Sequence, residues 1–173
     1  MSLVIDIHTH PAFFEAINAD EEKLHLRQTC LGLYKTGTAP LAHIFNQMKY
    51  AGIDRLGLLP LDLTTTHGAE LVSNAEIHHL VSLAPEKFIG FASVDPRRKD
   101  AVEMLEYAFG ELKLSGLKLH PARQKFYPMD EELNAVYACC LRHNKPVLFH
   151  AGISLQPDAP SQYARPEHFE AVA

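Results

Sequence analysis

The stretch VIDIHTHP, Val4 to Pro11, reads as a buried strand that ends in two imidazoles and a proline. Four later apolar runs end in a related way. IDRLGLLPLD closes on Asp62, FIGFASVDP on Asp95 and Pro96, GLKLHP on His120 and Pro121, and PVLFHAG on His150, Ala151 and Gly152. Ionisable residues at the carboxyl ends of several strands are how a (β/α)₈ TIM barrel assembles a site. Helix-period segments separate the runs, and parallel strands require such crossovers. The nearly all-apolar strands suit a sheet covered on both faces. The units recur roughly every 30 residues after the first, the size of a βαβ unit. A doubly wound sheet shows the same alternation, but no G-x-G-x-x-G follows any strand, so a dinucleotide fold has no support.

The connecting segments read as follows. Phe13 to about Thr38 is a polar loop. PLAHIFNQMKYAG is a helix, with Pro40 in its first turn, Leu41, Ile44, Phe45 and Met48 as its stripe, and Gly52 at its end. NAEIHHLVSLAPEK is a helix with Asn74 as cap and Ile77, Leu80 and Val81 on one face. DAVEMLEYAFGEL is capped by Asp100 and packs Val102, Leu105 and Phe109. DEELNAVYACCLRHNK turns Leu133, Val136, Tyr137, Cys140 and Leu141 inward, and RPEHFEAVA opens a fifth helix.

Composition narrows the function classes. The 173 residues are 47% hydrophobic and 21% charged, an ordinary globular balance for one domain. A net charge of −5 without a basic cluster gives no footing for nucleic acid or an anionic membrane. Neither a membrane span nor a signal peptide is visible. Cys30, Cys139 and Cys140 make no disulfide framework, so a reduced, cytoplasmic setting is expected, with Cys139 and Cys140 as buried thiols. The 11 histidines, several of them on strands, point to metal chemistry.

In the first strand, Asp6, His8 and His10 share one face, while Ile5, Ile7 and Thr9 share the other. Inward histidines leave the isoleucines to pack on covering helices. Two neutral imidazoles about 6–7 Å apart along a strand can converge on one divalent ion. His150 supplies the third ligand, since a barrel places its strand across from the first. Zinc is the first choice, with manganese and iron compatible. Such an ion would bring the pKa of bound water to about 7. A lone strand-end histidine more often serves as a satisfied polar group, so the third histidine carries the case. Lys118 and His120 share a face and are candidates to bind a substrate's anionic group. A carboxylated Lys118 bridging two metals, or a plain polar lining, are the alternatives. Asp62 and Asp95 read as turn residues. His78 and His79 fall on a helix surface, and Gly116 and Gly152 mark close backbone approach or a turn.

VIDIHTHP, GIDRLGLLP, FIGFASVDP, GLKLHP and PVLFHAG, in this order, resemble the amidohydrolase-related branch of the metal-dependent amidohydrolase superfamily, which includes the aminocarboxymuconate-semialdehyde decarboxylase-like enzymes. The resemblance implies a (β/α)₈ barrel with one divalent metal, His8 and His10 as its first-strand ligands and His150 as its fifth-strand ligand. It also calls for a histidine after strand 6 as acid/base and an aspartate after strand 8 as ligand and base, and neither can be placed before Ala173. A closed barrel takes about 250 residues, so residues 1–173 are expected to form the N-terminal part of a single barrel domain, truncated after strand 5 and the start of helix 5. The implied activity is hydrolysis, with metal-activated water attacking a C–N or C–O carbonyl centre. Non-oxidative decarboxylation of aromatic or muconate-like acids is the alternative on the same scaffold. A catalytically incomplete barrel fragment is a third reading. Nucleases and phosphoesterases that open with H-x-H rank lower, because many carry an acid where this chain has GLKLHP. The expected partner is a small-molecule substrate, with homo-oligomerisation left open.

Overall fold

The computed structural model describes residues 2–156 and 158–173. The elements run β1 (Ile5–Thr9), α1 (Glu21–Leu31), α2 (Leu41–Ala51), β2 (Arg55–Leu58), β3 (Leu61–Leu63), α3 (Thr64–His67), β4 (Ala69–Val72), α4 (Asn74–Leu83), β5 (Phe88–Gly90), β6 (Ala92–Ser93), α5 (Ala101–Gly110), β7 (Leu117–Leu119), α6 (Pro121–Gln124), α7 (Asn134–Arg142) and β8 (Val147–Phe149). Two parallel sheets, β1-β2-β5 and β6-β7-β8, meet where one run of chain, Phe88 to Ser93, leaves the first and enters the second. Hydrogen bonds cross this junction: Phe91 N donates to Leu58 O, and Ser115 N donates to Gly90 O. The result is five parallel strand positions in sequential order. That is the neighbour order of a (β/α)₈ barrel and not of a doubly wound sheet.

Helices α4, α5 and α7 cover the sheet with Ile77, Leu80, Leu105, Ala108, Phe109, Val136, Cys139 and Cys140, all buried in one core with Leu58, Phe88, Leu117 and Leu119. A fully buried large aliphatic or aromatic side chain contributes roughly 1.5–3 kcal/mol. Gly116 lies where a Cβ would come within 2.6 Å of the Phe91 ring and 2.9 Å of the Pro146 carbonyl, so the close approach excludes any side chain. Gly152 turns the chain after β8 at φ +85°.

Several local expectations are corrected. The segment read as a polar loop contains α1, capped by Asp20, whose carboxylate accepts from Glu22 N and Lys23 N, and closed by Gly32 in the left-handed region. The run ending at Asp62 is not one strand: it breaks at Leu59–Pro60, and β3 and β4 form an antiparallel hairpin around α3. The cap of α4 is Ser73 in a capping box with Glu76. Asn74 instead bonds both backbone groups of Ser93. Asp100 stands at the start of α5 without a capping bond, because its carboxylate pairs with Arg98. Leu141 points outward at 81% exposure. Pro166–Phe169 is a 3₁₀ turn where an α-helix was expected to open. Ile5 and Ile7 are not packed under helices: Ile7 is 54% exposed, on an edge strand.

Candidate metal and substrate site

His8 and His10 sit at or just beyond the carboxyl end of β1, His120 just beyond β7 and His150 just beyond β8, while Lys118 lies in the middle of β7. The register between β1 and β2 shifts between Asp6 and Thr9, and His8 N donates to Asp6 Oδ1 within this irregular stretch. There the two rings meet edge to face, with centroids 5.1 Å apart. His8 Nε2 and His10 Nε2 stand 3.2 Å apart. That is close to the ~3.3 Å edge of a tetrahedron built on zinc–nitrogen bonds of about 2.0–2.1 Å. His10 Nδ1 lies 3.2 Å from the Leu59 carbonyl, which can only accept, so Nδ1 carries the proton and Nε2 presents a lone pair.

A cavity of about 290 Å³ opens beside these residues, lined by His10, His120, Arg123 and His150, with Leu59, Leu61, Leu71 and Val72 among its apolar walls. The β3–β4 hairpin thus supplies one wall, and Ile153–Gln156 after β8 another. His120 and His150 stack with centroids 3.9 Å apart and an interplanar angle of 11°. His150 Nε2 is buried without a hydrogen-bond partner among the described residues, as is Lys118 Nζ. Arg123 N donates to His120 Nδ1 at 3.3 Å, which leaves the ring proton on Nε2. The imidazoles are all held towards the neutral form. Burial and the Lys118 charge lower the pKa of His8, His10 and His150. Burial and the neighbouring His150, Lys118 and Arg123 push His120 down further. Burial alone pulls the Lys118 ammonium down to about 8.

The residue set therefore suits a divalent ion. Two neutral imidazoles already converge, and an orphaned third imidazole nitrogen lies in the same region. The convergence is incomplete: the nitrogens of His8, His10 and His150 do not all lie within 4.8 Å of one another. Among the described residues, the group that does meet that distance is Glu106, Cys139 and His143, between α5 and α7 and away from the strand ends. Glu106 there pairs with Arg142 and His143, and burial raises the Cys139 thiol to about 11. A guanidinium against the only carboxylate opposes a cation, so this group ties two helices together.

Asp62 and Asp95 hold the scaffold. Asp62 accepts from Thr64 N and Asp95 N, and Asp95 from Thr65 N and Arg97 N. Gln124, fully buried, donates to the carbonyls of Asp62 and Val94 and accepts from His120 N, joining three strand ends. Neither Gln124 nor Arg123 stood out in the sequence. Their one signal was a position just after His120–Pro121.

The chain's architecture is that of a (β/α)₈ barrel that stops short of closure. It matches an uncharacterised TIM-barrel protein from Bordetella bronchiseptica at 23% identity and a TM-score of 0.72, covering 99% of this chain and 62% of that one. It matches 4-oxalomesaconate hydratase from Rhodopseudomonas palustris at 20% identity and a TM-score of 0.61, over 86% and 52%. It also matches 5-carboxyvanillate decarboxylase from Novosphingobium aromaticivorans, solved with bound manganese and 3-methoxy-4-hydroxy-5-nitrobenzoic acid, at 20% identity and a TM-score of 0.55, over 91% and 44%. At these identities the likeness establishes the fold, and the chain spans between 44% and 62% of those structures. No curated protein matches. The amidohydrolase family model matches residues 5–173, and the chain belongs to that family. No described helix is long and apolar enough to cross a membrane.

Proposed function

We propose that the chain carries the metal-binding strands of a metal-dependent enzyme acting on a small carboxylic acid. His8, His10 and His150 are the protein ligands. The observation that carries this reading is the pair of Nε2 atoms 3.2 Å apart, with the tautomer of His10 set by the Leu59 carbonyl. A bound divalent ion would act as a Lewis acid and lower the pKa of water. Lys118, buried and without a hydrogen-bond partner among the described residues, supplies positive charge towards an acidic substrate. Neutral His120 can donate through Nε2. The leucine walls exclude water from one side of the cavity.

Hydrolysis at a C–N or C–O carbonyl centre is the first reading. Non-oxidative decarboxylation is the second, favoured by the buried Lys118 ammonium and by the reaction named for the Novosphingobium enzyme. Because the chain spans about half of the structures it matches, turnover is proposed for a protein that completes the barrel, and metal binding for the chain itself. Zinc comes first and manganese second, the latter supported by the ion in that same structure.

The test is calorimetric titration of the metal-free chain with zinc and with manganese. His10→Ala is expected to weaken binding at least tenfold, since losing a ligating nitrogen costs more than the 10–100-fold effects of removing the groups that orient ligands. Unchanged binding in His10→Ala and His150→Ala would overturn the assignment. A completed protein that releases carbon dioxide from aromatic acids would favour the second reading over the first.

A further inference from the structure

The cavity is lined by a basic group, Arg123, that the reading above does not use. Arg123 lies in α6, immediately after β7, and is 1% exposed. Its Nη2 donates to the Cys30 carbonyl at 3.0 Å and stands 3.7 Å from Asp158. Its Nε and Nη1 are buried with no hydrogen-bond partner among the described residues. A guanidinium keeps its charge at any ordinary pH and offers five donors, so it cannot escape burial by losing a proton. Leaving those donors empty is costly, and they are the kind of group a ligand satisfies. Asp158 balances the charge only in part: it is partly exposed and also pairs with His67. Among the described residues, no carboxylate lines the cavity, whereas its walls are mostly leucine, valine, isoleucine and alanine, with Ser154 and Gln156 on one side, around Arg123 and the three histidines.

We propose that Arg123 is the carboxylate-recognising residue of this cavity, and that its ligand is a small monocarboxylic acid with an apolar body. The two basic groups then divide the work. Arg123 grips the acid through directed hydrogen bonds, while Lys118, deeper in the sheet, sets the local potential. The inference rests on taking the cavity as the substrate site, but it is measured without metal, so its failure is distinguishable from failure of the metal assignment.

Benzoate and its uncharged counterpart benzamide serve as probes in calorimetric titrations of the metal-free chain. The parent is expected to bind benzoate at least tenfold tighter than benzamide. Arg123→Met should weaken benzoate roughly 10- to 100-fold, the range of charge-assisted hydrogen bonds. Arg123→Lys should lie between, because a point charge lacks the planar fork. Both variants should still take up zinc as the parent does. Should Arg123→Met not fold, the Arg123 Nε–H resonance of the parent, assigned by its loss in Arg123→Lys, is expected to shift as benzoate is added. The proposal is overturned if the parent does not bind benzoate, if benzamide binds equally, or if Arg123→Met binds benzoate like the parent.

Discussion

Lys118 shows what the site costs the fold. Its ammonium is buried without a hydrogen-bond partner among the described residues, and its pKa falls to about 8. Replacing such a group by an apolar one of similar length is often stabilising. Lys118→Met should therefore raise stability by about 1–3 kcal/mol at pH 7, read by denaturant melts, while removing a buried positive charge from β7. A loss of stability would show that the ammonium makes a compensating interaction. The sign of the pH dependence follows from the same shift. Between pH 8 and the ordinary lysine value of 10.5, the unfolded chain holds the proton that the folded chain has released. Stability should therefore rise with pH across that window in the parent and stay flatter in Lys118→Met. At this scale the sequence was partly legible. H-x-H alternation placed His8 and His10 together, but no local pattern shows that Arg123 is buried, because its burial depends on the neighbouring β3–β4 hairpin and the loop after β8.

Among the elements, α1 matters most to the cavity. Arg27, buried, donates through Nε to Leu71 O, through Nη1 to Ile17 O and Asn18 Oδ1, and through Nη2 to Glu76 Oε1. Glu76 is also the capping-box residue of α4, and Leu71 is a wall of the cavity. Arg27→Met would leave the Leu71 and Ile17 carbonyls and Asn18 Oδ1 without this donor and remove the buried cation from Glu76, and a loss of about 3–5 kcal/mol is expected on thermal or denaturant melting. Asp20→Ala, which removes only the α1 cap, should cost about 1 kcal/mol. The sequence reads this helix as loop because its buried residue is an arginine. A search for an apolar stripe passes over it, although Asp20 and Gly32 mark its ends. The covering helices α2, α4, α5 and α7 were legible from their stripes because they pack as ordinary amphipathic surfaces.

For the molecule as a whole, the open sheet is the dominant fact. β1 and β8 are edge strands, and Leu3, Val4, Ile5 and Ile7 are exposed along β1. Unpaired edges beside apolar side chains favour association with another chain. The isolated chain should self-associate with rising concentration in light scattering. Ile7→Lys should suppress that association while shifting stability by no more than about 0.5 kcal/mol. Concentration-independent monomer mass for the parent would contradict this.

Strand order, polar residues at strand ends and the shared face of His8 and His10 are legible from the chain alone, because these follow from backbone period and crossover rules. What surrounds them emerges only when the elements pack: the stack of His120 on His150, the hairpin that walls the cavity, the arginine anchor of α1 and the unsatisfied donors of Arg123. Periodicity reports which way a side chain points. Whether a charged group finds a partner there depends on residues distant in the chain, and that is settled only when the elements pack.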